Sequence, residues 1–156
     1  MTREDLIETL HGAVVGMVGT RDQKLRPEVL AITGIKAAAD LSSITVFVPD
    51  GEAAQTFANI ADNSAIALTV AEPMSHTTYQ FKGTVSAQRP TTTDEQAVQE
   101  IYREKAATML DQIGLGRGLM AVRRLAPSTA IEFSVEDMFD QSPGPNAGNP
   151  LELAGA

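Results

Sequence analysis

Between Ser64 and Val85 apolar side chains recur at every second position, in two runs joined by a polar connection at Glu72 to His76. In the first run Ile66, Leu68 and Val70 point one way, and Ala65, Ala67, Thr69 and Ala71 the other. A period of two marks a strand with two unlike faces. The small face lets another object come close. In the second run Tyr79, Phe81 and Val85 share one face, with Gly83 among them, while Gln80, Lys82 and Thr84 share the opposite one. That opposite face aligns an amide, a cation and a hydroxyl. It either meets a polyanionic ligand or is simply solvated.

The same patterns run through the rest of the chain. Thr2 and Asp5 have the spacing of a capping box, opening a short helix with Leu6, Ile7 and Leu10 on its apolar edge and Gly12 as its stop. A strand is expected over Ala13 to Thr20, with Gly16 and Gly19 marking a bend or a close backbone approach. The polar turn Arg21 to Lys24 predicts an antiparallel neighbour, running from about Glu28 to Ala37. Another strand covers Ser43 to Val48. Asp50 is then placed to cap a helix over Glu52 to Ala61, with Asn63 at a left-handed exit. The strand through Val85 extends to Gln88, and Pro90 stops it. Thr93 and Gln96 read as a second capping box, opening a longer helix. Its apolar stripe of Val98, Ile101, Tyr102, Met109, Leu110 and Ile113 reads as core packing. Gly114 to Gly118 breaks that helix, Leu119 to Leu125 adds one or two turns, and Ser128 to Val135 is a final strand. From Asp140 the chain turns to Q-S-P-G-P-N-A-G-N-P, which cannot be regular helix or strand.

About six strands with helices inserted singly predict a mainly β fold, an antiparallel barrel decorated by helices rather than a doubly wound parallel sheet. The expected division is a barrel domain over 1–138 and a Pro/Gly-rich tail over 139–156. At 156 residues, 43% hydrophobic and 21% charged, the chain suits one globular domain. Twelve basic against twenty acidic residues leave a net charge of −8, which repels nucleic acid and anionic membrane. Cysteine is absent, so disulfides and thiolate chemistry are excluded. No run approaches the ~18 apolar residues of a membrane span, and no leader pattern opens the chain. The cytoplasm is therefore the expected compartment.

Five segments in one order carry a resemblance: V-F-V-P at 46–49, N-I-A-D-N at 59–63, A-I-A-L-T-V at 65–70, T-Y-Q-F-K-G at 78–83 and F-D-Q-S-P-G-P-N-A-G at 139–148. Together they resemble the pyridoxamine 5′-phosphate oxidase-like family of FMN-binding split barrels, over roughly Gly12 to Gly148. The resemblance implies a six-stranded antiparallel split barrel, a homodimer, and FMN at the subunit interface. It places Arg26 at the start of the second strand near the flavin phosphate. It sets Gln55 and Thr56 at the start of the short helix, where many members have a serine and a lysine. This chain has no lysine or arginine between Lys36 and Lys82. The helix N-terminus still offers free amides and a partial positive charge, which Glu52 opposes. Gln80 and Lys82 match a Q-x-K-G resembling the flavin-side strand of one subgroup, with Thr84 on the same face.

Other signals have plainer readings. G-L-G-R-G at 114–118 follows a helix rather than a strand, so it lacks the context of a dinucleotide loop. His11 and His76 lie far apart without ligand spacing. Arg123 and Arg124 form a solvated face or a dimer contact, and Glu132 sits on the outer face of a strand. No residue stands out as a general acid or base. Three functions follow: a flavoprotein oxidoreductase whose cofactor is FMN, acting on a small molecule; a flavin-binding module without turnover; or a barrel holding deazaflavin or haem, or serving as a scaffold.

Overall fold

The structure, a computed structural model, describes residues 1–121 and 125–153. Helix α1 (Arg3–Leu10) opens with the expected capping box: Asp5 N–H donates to Thr2 Oγ1 at 3.1 Å, and Thr2 N–H to Asp5 Oδ2 at 2.8 Å. Strand β1 (Val15–Arg21) turns through Asp22 to Arg26 into β2 (Pro27–Ala31). The Asp22 carboxylate builds that turn, accepting the amides of Lys24 at 2.8 Å and Arg26 at 2.9 Å.

The strand expected over Glu28 to Ala37 is two strands, β2 and β3 (Gly34–Ala37), at opposite edges of one sheet ordered β2-β1-β5-β6-β7-β4-β3. Ile32 and Thr33 carry the chain between those edges. Ile32 N–H donates to Gly16 O at 3.0 Å on one side, and Thr33 N–H to Phe47 O at 2.7 Å on the other. A single bent segment therefore closes the curled sheet into a barrel, and six expected strands become seven. Gly16 permits the bend: a Cβ there would stand 2.5 Å from the Ile32 side chain.

Strand β4 (Ser43–Pro49) is followed by a 3-10 turn at Asp50–Glu52 and helix α2 (Ala54–Asn63). Asp50 does not cap α2. Its carboxylate accepts from Thr129 Oγ1 at 2.7 Å, and Ala53 occupies the capping position without a side-chain bond. The left-handed exit falls on Ser64, at φ 58°. Asn63 instead ties the helix end to β1, donating to Arg21 O at 2.8 Å.

Strands β5 (Ala65–Ala71), β6 (Thr78–Pro90) and β7 (Ser128–Asp140) follow, with β7 five residues longer than its expected end at Val135. Two register shifts interrupt the β6–β7 pair, between Lys82 and Gly83 and between Val85 and Ala87. Inward side chains from all sides, among them Val18, Ile44, Leu68, Phe81, Ile131 and Phe133, fill the barrel at 0% exposure.

Helix α3 (Thr93–Gln112) packs against β3 and reaches β1, where the Tyr102 hydroxyl accepts the Gly16 amide at 3.0 Å. Its cap is Thr92 with Glu95, one residue earlier than Thr93 with Gln96. The expected apolar stripe is only partly core. Tyr102 and Met109 are buried, whereas Ile101 and Ile113 are 57% and 41% exposed. The rest of the buried face is polar or small: Glu95, Gln99, Ala106 and Ala107. Gln99 pays for its burial by accepting from Thr33 Oγ1 at 2.8 Å and donating to Ser128 Oγ at 3.1 Å. A short helix, α4 (Gly118–Ala121), follows; Arg123 and Arg124 lie outside the described residues.

The tail folds back on β6 and β7. Gln141 N–H donates to Thr78 O at 2.8 Å, Gly148 N–H to Asp140 O at 2.7 Å and Leu151 N–H to Met138 O at 2.8 Å. Leu151 and Leu153 pack against the core.

Candidate functional site

Cross-strand register puts the notable polar residues on the outer face of the barrel. Val29, Gly19, Ala67, Lys82 and Asp137 lie side by side across five strands. The next outward row is Ala31, Met17, Thr69, Gln80 and Phe139. Strand β5 thus turns Ile66, Leu68 and Val70 inward and its alanines outward, as its alternation predicts.

Ala65, Ala67 and Gly19 form a shelf in an open hollow of about 470 Å³, bordered by Arg21, Lys82 and Glu136. That volume lies within the ~300–1,000 Å³ of small-molecule sites. A Cβ built on Gly19 would meet nothing closer than Ala67 O at 4.0 Å, so a side chain there would stand in the hollow. Lys82 is held over the Phe139 ring, its Nζ 4.7 Å from the centroid. Thr84 Oγ1 donates to Glu136 Oε1 at 2.7 Å, and Gln80 Nε2 to Thr69 Oγ1 at 3.3 Å.

Arg26 and Gln55 line a different hollow, of about 290 Å³, between the β1–β2 turn and α2. Consecutive residues, Arg21 and Asp22, border one hollow each. Arg26 is not free: its Nε and one terminal nitrogen each stand 2.6 Å from Asp22 Oδ2. The Arg26 and Lys24 hydrogen bonds hold the Asp22 carboxyl below its usual range, led by the bond from the Arg26 backbone amide. Lys24 and Arg26 are matched in this hollow by Asp22 and Asp62. Gln55 Nε2 donates to Asn59 Oδ1 at 2.8 Å, and Asn59 Nδ2 to Thr20 Oγ1 at 3.0 Å. Thr56 is 1% exposed and presents no hydroxyl at the surface.

The six residues therefore divide. Gln80, Lys82 and Thr84 share the outer face, Arg26 and Gln55 share the balanced hollow, and Thr56 is buried. Arg21 and Glu136 complete the rim beside Lys82, and the sequence reading assigned neither. Arg21 reads as turn, and Glu136 lies beyond the expected end of its strand. The one available signal was the continued alternation of Phe133, Val135 and Met138 with polar neighbours, interrupted by a bulge.

An antiparallel barrel closed by one bent segment between two strands, with a shelf and a cation on its outer face, defines a split-barrel protein. A sequence model of the family described as pyridoxamine 5′-phosphate oxidase matches residues 3–142, and the chain belongs to that family. Among solved structures it is similar to HupZ of Group A Streptococcus, with 21% identity, covering 95% of this chain and 99% of that one, at a TM-score of 0.57. An F420 reductase matches at 18% identity over 84% of this chain and 93% of that one, TM-score 0.52. An FMN-binding protein from Syntrophomonas wolfei matches at 14% identity over 97% and 89%, TM-score 0.51. At these identities the likeness is one of fold. No curated protein matches the sequence. Among the described residues no helix is long and apolar enough to cross a membrane.

Proposed function

We propose that this chain is a flavin-binding oxidoreductase whose flavin, FMN, rests on the outer shelf beside Lys82. The shelf is the observation that carries the reading. A flat ring system needs a flat surface with no projecting side chain, and Gly19, Ala65 and Ala67 supply one. When bound, the flavin supplies hydride and electron transfer. The chain's own residues bind and orient it. Lys82, steadied by Phe139, and Arg21 offer positive charge to an anionic group and outnumber the one carboxylate of the lining, Glu136, one oxygen of which accepts from Thr84.

The hollow is open on its outer side, and Met17 and Val29 stand nearby at 50% and 60% exposure. A second copy of the chain docked on this face would cover both and give the site its other wall, so the functional unit in this reading is a homodimer. The alternative site at α2 is less suited to a phosphate dianion, because its cations are already matched by carboxylates. The visible spectrum of freshly purified protein, followed by identification of the released chromophore, tests the reading. A flavin spectrum with FMN released supports it. Released haem or deazaflavin, or a colourless protein that takes up no added FMN, overturns it.

A further inference from the structure

A third hollow lies where the end of α1, strand β3 and helix α3 meet. Its volume is about 260 Å³. Leu10, Ile35, Val98, Ile101 and Tyr102 make it mainly apolar. Its charged side chains are Lys36 and Lys105, and it contains no carboxylate. Four other hollows on the described surface each include at least one: Glu72, Glu104, Asp62 and Glu136 are examples. On a chain of net charge −8, an apolar hollow with only cations at its rim is a local reversal of sign.

The polar groups around it are arranged for an anion. Lys105 Nζ donates to His11 O at 2.6 Å, which uses one of its three hydrogens and leaves two. His11 Nε2 accepts the Ala37 amide at 3.2 Å, so the imidazole is neutral and the rim charge is that of the two lysines. Ile101, at 57% exposure, is apolar surface left in water at the mouth. The volume falls just under the ~300 Å³ at which drug-sized sites begin, so the occupant is small.

We propose that this hollow binds a medium-chain monocarboxylate, its alkyl chain against Ile35, Val98, Ile101 and Tyr102 and its carboxylate at Lys36 and Lys105. The site is separate from the flavin shelf, and the proposal does not depend on a flavin being bound.

Calorimetric titration of the full chain with octanoate tests this, with octan-1-ol as the uncharged control. Octanoate is expected to bind saturably, one per chain, and octan-1-ol at least about tenfold more weakly. Lys36→Gln removes one rim charge from an exposed position and should weaken octanoate severalfold. Ile101→Glu puts a carboxylate at the mouth and should weaken it by about tenfold or more. The melting temperature of each variant shows whether the barrel is intact. Equal affinity for octanoate and octan-1-ol, wild-type octanoate affinity in both variants, or no saturable heat at millimolar octanoate would overturn the proposal.

Discussion

Removing Lys82 and removing Arg26 should have unequal consequences for FMN. Lys82 sits at the edge of the open shelf, its ammonium over the Phe139 face, with no carboxylate within ion-pairing distance among the described residues. A charge-assisted hydrogen bond from such a group contributes roughly 1.5–3 kcal/mol. Lys82→Ala should therefore weaken FMN binding about ten- to a hundredfold. Arg26 starts from a different state. Its guanidinium lies 2.6 Å from Asp22 Oδ2, and the side chain is 75% exposed. Meeting a phosphate would require giving up that pair, so the exchange gains little. Arg26→Ala should change FMN affinity by less than about threefold. The assay is quenching of FMN fluorescence on titration into flavin-free wild type, Lys82→Ala and Arg26→Ala, with circular dichroism confirming that each is folded. An equal loss in both variants, or a loss confined to Arg26→Ala, would refute the reasoning and move the phosphate to the α2 hollow.

Two further predictions concern the scaffold. Arg89 donates to both carboxylate oxygens of Glu95, at 2.7 and 2.6 Å, and this chiefly holds the Glu95 carboxyl at about 2 instead of its ordinary 4.5. A depressed folded-state value gives stability that is full above about pH 4.5 and lost as pH falls toward about 2. The ceiling is about 3 kcal/mol, and screening at the 46% exposed Arg89 side chain lowers it to about 1–2 kcal/mol. Glu95→Gln should thus lower the urea-unfolding free energy by that amount at neutral pH and by less than half of it near about pH 3; a pH-independent difference would contradict this. Gly83→Ala should cost about 2 kcal/mol or more, because its Cβ would fall 1.7 Å from Ser134 O and the β6–β7 pair would have to shift. An unchanged urea midpoint would show that the strands part easily there.

The period-two strands were legible because each buries one face and wets the other, as in Ile66, Leu68 and Val70 against the alanines between them. The first capping box was legible because it is local: Thr2 and Asp5, three residues apart, each satisfy the other's backbone amide. The break between β2 and β3 was not, because Ile32 and Thr33 continue the strand pattern while changing partners, and partnership is a long-range property. Helix α3 misled through burial of polar groups. Gln99 is fully buried because Thr33 and Ser128, distant in sequence, satisfy it, while apolar Ile101 is left outside. At the site, the shared face of Gln80, Lys82 and Thr84 follows from their spacing. The capture of Arg26 by Asp22 follows from a turn that only the folded chain shows, and so does the arrival of Arg21 and Glu136 beside Lys82.

The flavin shelf is tested most directly at Gly19. A Cβ at this position would meet no protein atom closer than 4.0 Å, and valine suits a strand, so Gly19→Val should fold as the wild type does while its side chain enters the hollow. FMN titrated into the flavin-free wild type should saturate at one per chain, and Gly19→Val should bind at least about tenfold more weakly with an unchanged melting temperature. Wild-type affinity in Gly19→Val, or no FMN binding by the wild type, would contradict the account.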